Sequence, residues 1–200
     1  PRILLNGPGK SGTHLLADCV GMLPRTAFSG RHFALGEFVP DPHGPRLVGD
    51  DTRHGTPLEL PELRRYLRRC PPGMFVTGHA PWHPELPAAC DDAGLRHACM
   101  SRDPADVLVS VTHFSSRDDH PDAPAFLAVD SFEERLRVAL YGSEDLTPLP
   151  VPPTRSAVAS YLPWLRDPSV HTVRYERLCG GEGDEAPLDE LVALAPFLDS

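Results

Sequence analysis

The sequence predicts an α/β domain of three layers, a central, mostly parallel sheet with helices on both faces. Three observations predict it. Short apolar runs alternate with segments of helical period. No stretch of the 200 residues repeats another. The first 23 residues hold a strand, a Gly-rich loop and a helix in that order, the opening of a βαβ unit.

The elements follow in chain order. Arg2-Ile-Leu-Leu-Asn6 is an apolar run that ends in Gly7-Pro-Gly9, a buried strand entering a tight loop. From Ser11 onward Leu15, Leu16, Cys19, Val20 and Leu23 recur at helical spacing until Pro24 stops them. Residues 24–57, rich in Gly, Pro, His and Asp, are expected to be loop with one short strand. Leu58–Arg69 carries Leu60, Leu63 and Leu67 on one face with arginines between them, an amphipathic helix. Met74–Thr77 reads as a strand, Pro84–Ala93 as a short helix and Leu95–Met100 as a further strand. Asp103-Pro104 opens a helix whose apolar stripe is Val107, Val111 and Phe114, with Pro where its missing N–H costs least. Residues 115–125 are polar and read as exposed loop. Ser131–Tyr141 is a helix whose Ser131 cap is followed three residues later by Glu134. A Pro-rich connector (147–153), a helix over 157–165, a strand over 170–175 and a last helix over 188–194 complete a single domain spanning 1–200.

Composition bounds the function. A net charge of −9 argues against a general binder of nucleic acid or of a membrane surface, because phosphate-backbone affinity rests on many Lys and Arg contacts. An anionic ligand must be held by local geometry instead. No apolar run approaches the ~20 residues of a membrane span. Cys19, Cys70, Cys90, Cys99 and Cys179 are odd in number and never paired as C-x-x-C, which suits reduced thiols in a cytoplasmic protein. The chain opens on Pro1 without an initiator Met, as a trimmed sequence does.

Four segments carry chemistry. Gly7-Pro-Gly-Lys-Ser-Gly-Thr13 joins a strand to a helix start. Its glycines let the backbone approach a phosphate, the first-turn N–H groups point at it, and Lys10 adds charge. A Gly-rich turn without a ligand is the plain alternative. Walker A fails here because its leading glycine falls at Leu4. In the second segment Arg102 leaves a strand just before a helix and Ser110 lies eight residues on, about two turns along it. Both can reach one phosphate, Arg102 through its planar fork; a solvated helix face is the alternative. Third, His79 ends a strand, where α/β sheets keep their ligands, and an imidazole suits proton abstraction near neutrality. Pairing with His83 around a metal is disfavoured by Pro81 and Pro84, leaving a structural histidine as the other reading. Fourth is the strand end Val173-Arg-Tyr175-Glu-Arg-Leu178, where a packing role for Tyr175 is equally open.

Together these segments resemble the sulfotransferases that use 3′-phosphoadenosine 5′-phosphosulfate (PAPS). Gly9-Lys10-Ser11-Gly12-Thr13 is similar to their P-K-S-G-T loop. Arg102-Asp-Pro104-Ala-Asp106-Val107-Leu-Val-Ser110 through His113-Phe114 is similar to R-x-P-x-D-V-x-V-S…H-F. Thr77-Gly78-His79-Ala80-Pro81 resembles K-T-H-x-P with its first two residues changed, and Tyr175-Glu-Arg-Leu178 resembles Y-E-D-L. The resemblance implies that the amides of residues 10–14 (Lys10 to His14), with Gly9, Ser11, Gly12 and Thr13, hold the 5′-phosphosulfate. It implies Lys10 and His79 as catalytic residues, Arg102 and Ser110 on the 3′-phosphate, Tyr175 on the adenosine, and no metal. The product is then 3′-phosphoadenosine 5′-phosphate (PAP).

The family's C-terminal R-K-G-x-x-G-D-W segment has no counterpart before Ser200, and Arg155 or Arg174 could stand in for it. Residues 24–57 and 115–153 are expected to wall and cover the acceptor. Their Phe28, His32, Phe33, Phe38, Phe126 and Phe132 suggest an apolar or aromatic hydroxylated small molecule. Arg-, Ala- and Pro-rich usage suggests a bacterial source and natural-product tailoring. Oligomeric state is left open. The competing functions are a P-loop kinase, which lacks Walker A and a placed Mg²⁺ aspartate, and a non-catalytic nucleotide-binding relative.

Overall fold

A computed structural model describes residues 1–34, 59–143, 151–180 and 186–199. Strand β1 (Arg2–Asn6) leads to α1 (Thr13–Gly21), β2 (Ala27–Ala34), α2 (Leu60–Arg68), β3 (Met74–His79), α3 (Leu86–Asp92) and β4 (Leu95–Ser101). Then come α4 (Pro104–Ser115), α5 (Ala123–Leu127), α6 (Phe132–Tyr141), α7 (Thr154–Ala159) and a 3₁₀ turn (Trp164–Arg166). Strand β5 (Val170–Arg174), α8 (Tyr175–Leu178) and α9 (Ala186–Asp199) close the described chain.

The strands form one sheet in the order β2-β3-β1-β4-β5, every pair parallel. Its centre, β1, is covered on both faces, which is why Ile3, Leu4 and Leu5 form an unbroken run with none of them exposed. Leu4 joins Phe33, Leu63, Leu67, Leu86 and Trp164 under α2 and α3. Ile3 and Leu5 join Leu16, Val20, Met100, Val173 and Leu194 under α1 and α9. Two cores on opposite faces give the three layers that the alternating pattern predicts. A third cluster, built on Phe126, Val138, Ala139 and Val151, packs the α4–α7 helices together.

Several boundaries differ from the sequence reading. Residues 27–34 are an edge strand of eight residues, whose alternation is broken where the register shifts between Phe28 and His32 and Gly30 takes φ 74°. The helix expected over 157–165 is instead α7 and the 3₁₀ turn, with Pro163 between them. The loop expected over 115–125 ends in the short α5, and the strand expected to reach Tyr175 stops at Arg174. The last helix runs longer than expected, through Pro196. The expected lid residues 35–57, including Phe38, and 144–150 lie outside the described residues. All five cysteines are free thiols, four of them buried.

Candidate functional site

The site gathers at the carboxyl ends of β1, β3 and β4, the three central strands. The loop after β1 turns sharply: Lys10 takes φ 64°, a left-handed conformation uncommon for a side chain with a Cβ. Gly12, at φ 102°, caps α1 without any side-chain hydrogen bond. Ser11 directs both its donors at the Pro8 carbonyl, N–H at 3.2 Å and Oγ–H at 2.7 Å, and so closes the turn. Among the described residues the amides of Lys10, Gly12, Thr13 and His14 have no acceptor. The Thr13 hydroxyl is buried without a partner, whereas the His14 side chain is exposed. Free first-turn amides, an orphaned buried hydroxyl and a nearby ammonium are a donor set suited to phosphate or sulfate oxygens. Open space around the Gly9 Cα leaves the backbone approachable.

His79 ends β3, half-buried beside this loop. Its Nδ1 lies 2.8 Å from the Gly7 carbonyl oxygen, which can only accept, so Nδ1 carries the proton and Nε2 is left as the base. Burial lowers the His79 pKa below its ordinary value, partly offset by the Gly7 bond and reinforced by the neighbouring His32 and His14. The His32 ring meets it edge-on at 5.1 Å, and His32 Nδ1 is 3.0 Å from Thr77 Oγ1. Gly78 stands where the family motif has Thr because β2 passes close: a Cβ there would lie 2.9 Å from the Phe33 carbonyl oxygen.

Arg102 follows β4 and crosses back to the loop. Its Nη1 donates to the Lys10 carbonyl at 3.1 Å, and its guanidinium lies over the Tyr175 ring at 4.1 Å. Arg102 Nε is buried and has no partner among the described residues. Ser110 sits half-buried on α4. Lys10 rests its ammonium 4.0 Å from the centre of the Phe114 ring. Of the arginines considered for the absent C-terminal segment, Arg155 lies over Tyr141 at 5.2 Å and the Arg174 amide is held by Glu190.

Sequence reasoning missed Asn6. Fully buried at the end of β1, it accepts from the Ala80 N–H and donates to the Ala80 carbonyl, both at 2.8 Å. Trp164 Nε1 donates to that carbonyl at 3.1 Å. The residue after His79 is thereby fastened to the strand that launches the loop. The signal available was an amide side chain closing an otherwise apolar run. Of the expected acceptor aromatics, Phe28 pairs with Phe75 at the opposite end of the sheet from His79, and Phe33 is core. Phe126 lines a cavity of about 170 Å³ with Pro8, Gly9, Val107, Val111 and Val151. The stacked rings of His113 and Phe132 lie 4.7 Å apart. The described residues contain no group of three or more His, Cys, Asp or Glu placed to hold a metal.

The family model described as "Sulfotransferase domain" matches residues 1–180. The chain belongs to that family. Among solved structures, it is similar to mouse sulfotransferase SULT7A1 complexed with PAP, at 18% identity and a TM-score of 0.59, covering 98% of this chain and 58% of that one. It is also similar to retinol dehydratase in a complex with retinol and PAP, at 18% identity and a TM-score of 0.53, covering 98% and 59%. This sulfotransferase-family chain thus spans less than two thirds of the length of either neighbour. At that identity the likeness concerns the fold, a parallel sheet between helices. No curated protein sequence matches the chain. No helix among the described residues is long and apolar enough to cross a membrane.

Proposed function

We propose that this chain moves a sulfuryl group from PAPS to a hydroxyl of a small-molecule acceptor by in-line displacement, with His79 as general base and no metal. One observation carries the reading. His79 and Arg102, from strands on either side of β1, both bond to carbonyls of the same loop, Gly7 and Lys10. A base and a phosphate-reading arginine therefore flank one anion cradle.

When bound, the donor supplies a sulfuryl group on a phosphate leaving group. The loop amides and the Thr13 hydroxyl would hold its 5′ end. Arg102, with Ser110, would hold the 3′-phosphate that separates this nucleotide from ATP, and Tyr175 the adenosine side. Lys10 provides positive charge where negative charge develops on the leaving oxygen. His79 Nε2 takes the acceptor's proton while Nδ1–H stays on Gly7, a contribution of roughly 10²–10⁴-fold. The apolar cavity beside Pro8 and Gly9 supports an apolar or aromatic acceptor, as does the retinol held by the dehydratase. A cytoplasmic setting, resting on the free thiols, and bacterial natural-product tailoring, resting on composition, belong to the same reading.

Calorimetric titration with PAP, ADP, and ATP with and without Mg²⁺ tests it. Preference for PAP, followed by turnover in a panel of hydroxylated acceptors, is expected. Preference for ATP with Mg²⁺ restores the kinase. PAP binding without turnover across the panel favours a non-catalytic relative.

A further inference from the structure

Arg102 does more in this structure than offer donors to a ligand. The loop it touches holds two left-handed residues, Lys10 at φ 64° and Gly12 at φ 102°. A non-glycine residue stays there only where its surroundings over-determine it. Two contacts do so. Arg102 Nη1 pulls on the Lys10 carbonyl at 3.1 Å, and the Tyr175 ring fills the space beside the Gly12 Cα, where a Cβ would meet Cδ2 and lie 2.8 Å from Cε2. Arg102 and Tyr175 are themselves stacked at 4.1 Å, so the contacts form one unit. That unit is anchored to the frame. Asp103 N–H donates to Glu176 at 2.7 Å, and Ser101 Oγ to the Val173 carbonyl at 3.3 Å.

We infer that Arg102 is a positioning residue for Lys10: with Tyr175 it buttresses the loop in its left-handed conformation before any nucleotide arrives. This goes beyond a phosphate contact and rests on the proposed donor site only for its consequence. That consequence is a readiness of the loop to bind the 5′ end of a nucleotide even without a 3′-phosphate. Arg is required because its guanidinium reaches the Lys10 carbonyl through Nη1 while its Cζ lies over the Tyr175 ring, which a single ammonium does not reproduce.

The experiment compares the wild type with Arg102→Ala, Arg102→Lys and Tyr175→Leu. Hydrogen exchange of nucleotide-free protein is read over residues 7–16, where the Ser11 and Leu16 amides are bonded to Pro8 and Gly12. Exchange over β1 and β4 serves as the check on folding. ADP and PAP affinities follow by calorimetry. The buttress predicts exchange over 7–16 faster by about tenfold in Arg102→Ala and in Tyr175→Leu, with the sheet unchanged. It predicts ADP affinity about tenfold weaker in Arg102→Ala, although ADP has no 3′-phosphate. Arg102→Lys restores part of the PAP affinity through charge, but not the loop protection. Unchanged exchange over 7–16, or unchanged ADP affinity with PAP affinity lost, overturns the inference. If the wild type binds neither nucleotide, the donor reading fails instead, and exchange over 7–16 alone decides the buttress.

Discussion

Replacing Asn6 with Ala tests how the site is fastened. Asn6 is fully buried, and its amide makes both bonds of a clasp to Ala80, each at 2.8 Å. Asn6→Ala strands the Ala80 N–H in a dry environment, at a cost of about 1–3 kcal/mol. The Ala80 carbonyl loses one bond but keeps Trp164 Nε1 at 3.1 Å, so that side costs only about 1 kcal/mol. The sum is about 3 kcal/mol, or roughly 6–12 °C in Tm for a chain of this size. Urea denaturation monitored by tryptophan fluorescence reads the first quantity and calorimetry the second. Because Ala80 adjoins His79, kcat should fall further than nucleotide affinity. Asn6→Asp provides a signed check. Its carboxylate can accept from the Ala80 N–H but faces the Ala80 carbonyl with a second acceptor, so the buried acid favours its protonated form. A carboxyl raised in the fold gives stability that is present at low pH and lost as pH rises, so this variant should recover toward the wild type on acidification. An Asn6→Ala protein within 0.5 kcal/mol of the wild type would refute the clasp.

The other expectations concern single residues. His79→Ala should lower turnover by roughly 10²–10⁴-fold with PAP affinity nearly unchanged, and equal turnover removes His79 from the chemistry. Burial, with His32 and His14 alongside, holds His79 neutral to lower pH than a free imidazole, so the acid limb of kcat/KM should fall below pH 6.5. His32→Ala should move that limb upward in the pH profile of kcat/KM, and an unmoved limb contradicts the contribution of His32. His97, buried against Trp164 with both ring nitrogens unpartnered, has its pKa pushed down to about 3. The unfolded chain then binds the extra proton. Stability is full above about pH 6.5 and falls by about 1.4 kcal/mol per pH unit toward 3, and His97→Phe should flatten that slope. Gly12→Ala should cost about 2 kcal/mol or more, since it combines φ 102° with a Cβ pressed into Tyr175; urea midpoints measure this, and a neutral result contradicts the packing.

Whatever is encoded within a few consecutive residues could be read from the chain alone. The unbroken apolar run of β1 announces a strand buried on both faces. Leu16, Cys19 and Val20 announce the inner face of α1, and Ser131 with Glu134 announces the start of α6, where both bonds of the capping box are present. The ordered motifs at 9–13, 77–81, 102–114 and 175–178 point to the family to which the chain belongs, because each is a local run of residues. β2 was harder to read, since its register shift breaks the period-2 pattern that marks a strand.

The tertiary structure alone decided which of those runs meet. Asn6 and Ala80 are 74 residues apart, and Arg102 and Lys10 are 92 apart. Both pairs exist because the sheet places β1 between β3 and β4, so that three strand ends open on one loop. Strand order follows from burying both sheet faces under helices at once, a global condition that no local periodicity carries. The chain thus specifies its chemical groups locally, whereas the packing of the whole sheet fixes the Nδ1 proton of His79, the left-handed turn at Lys10 and the bond from Arg102 to the Lys10 carbonyl.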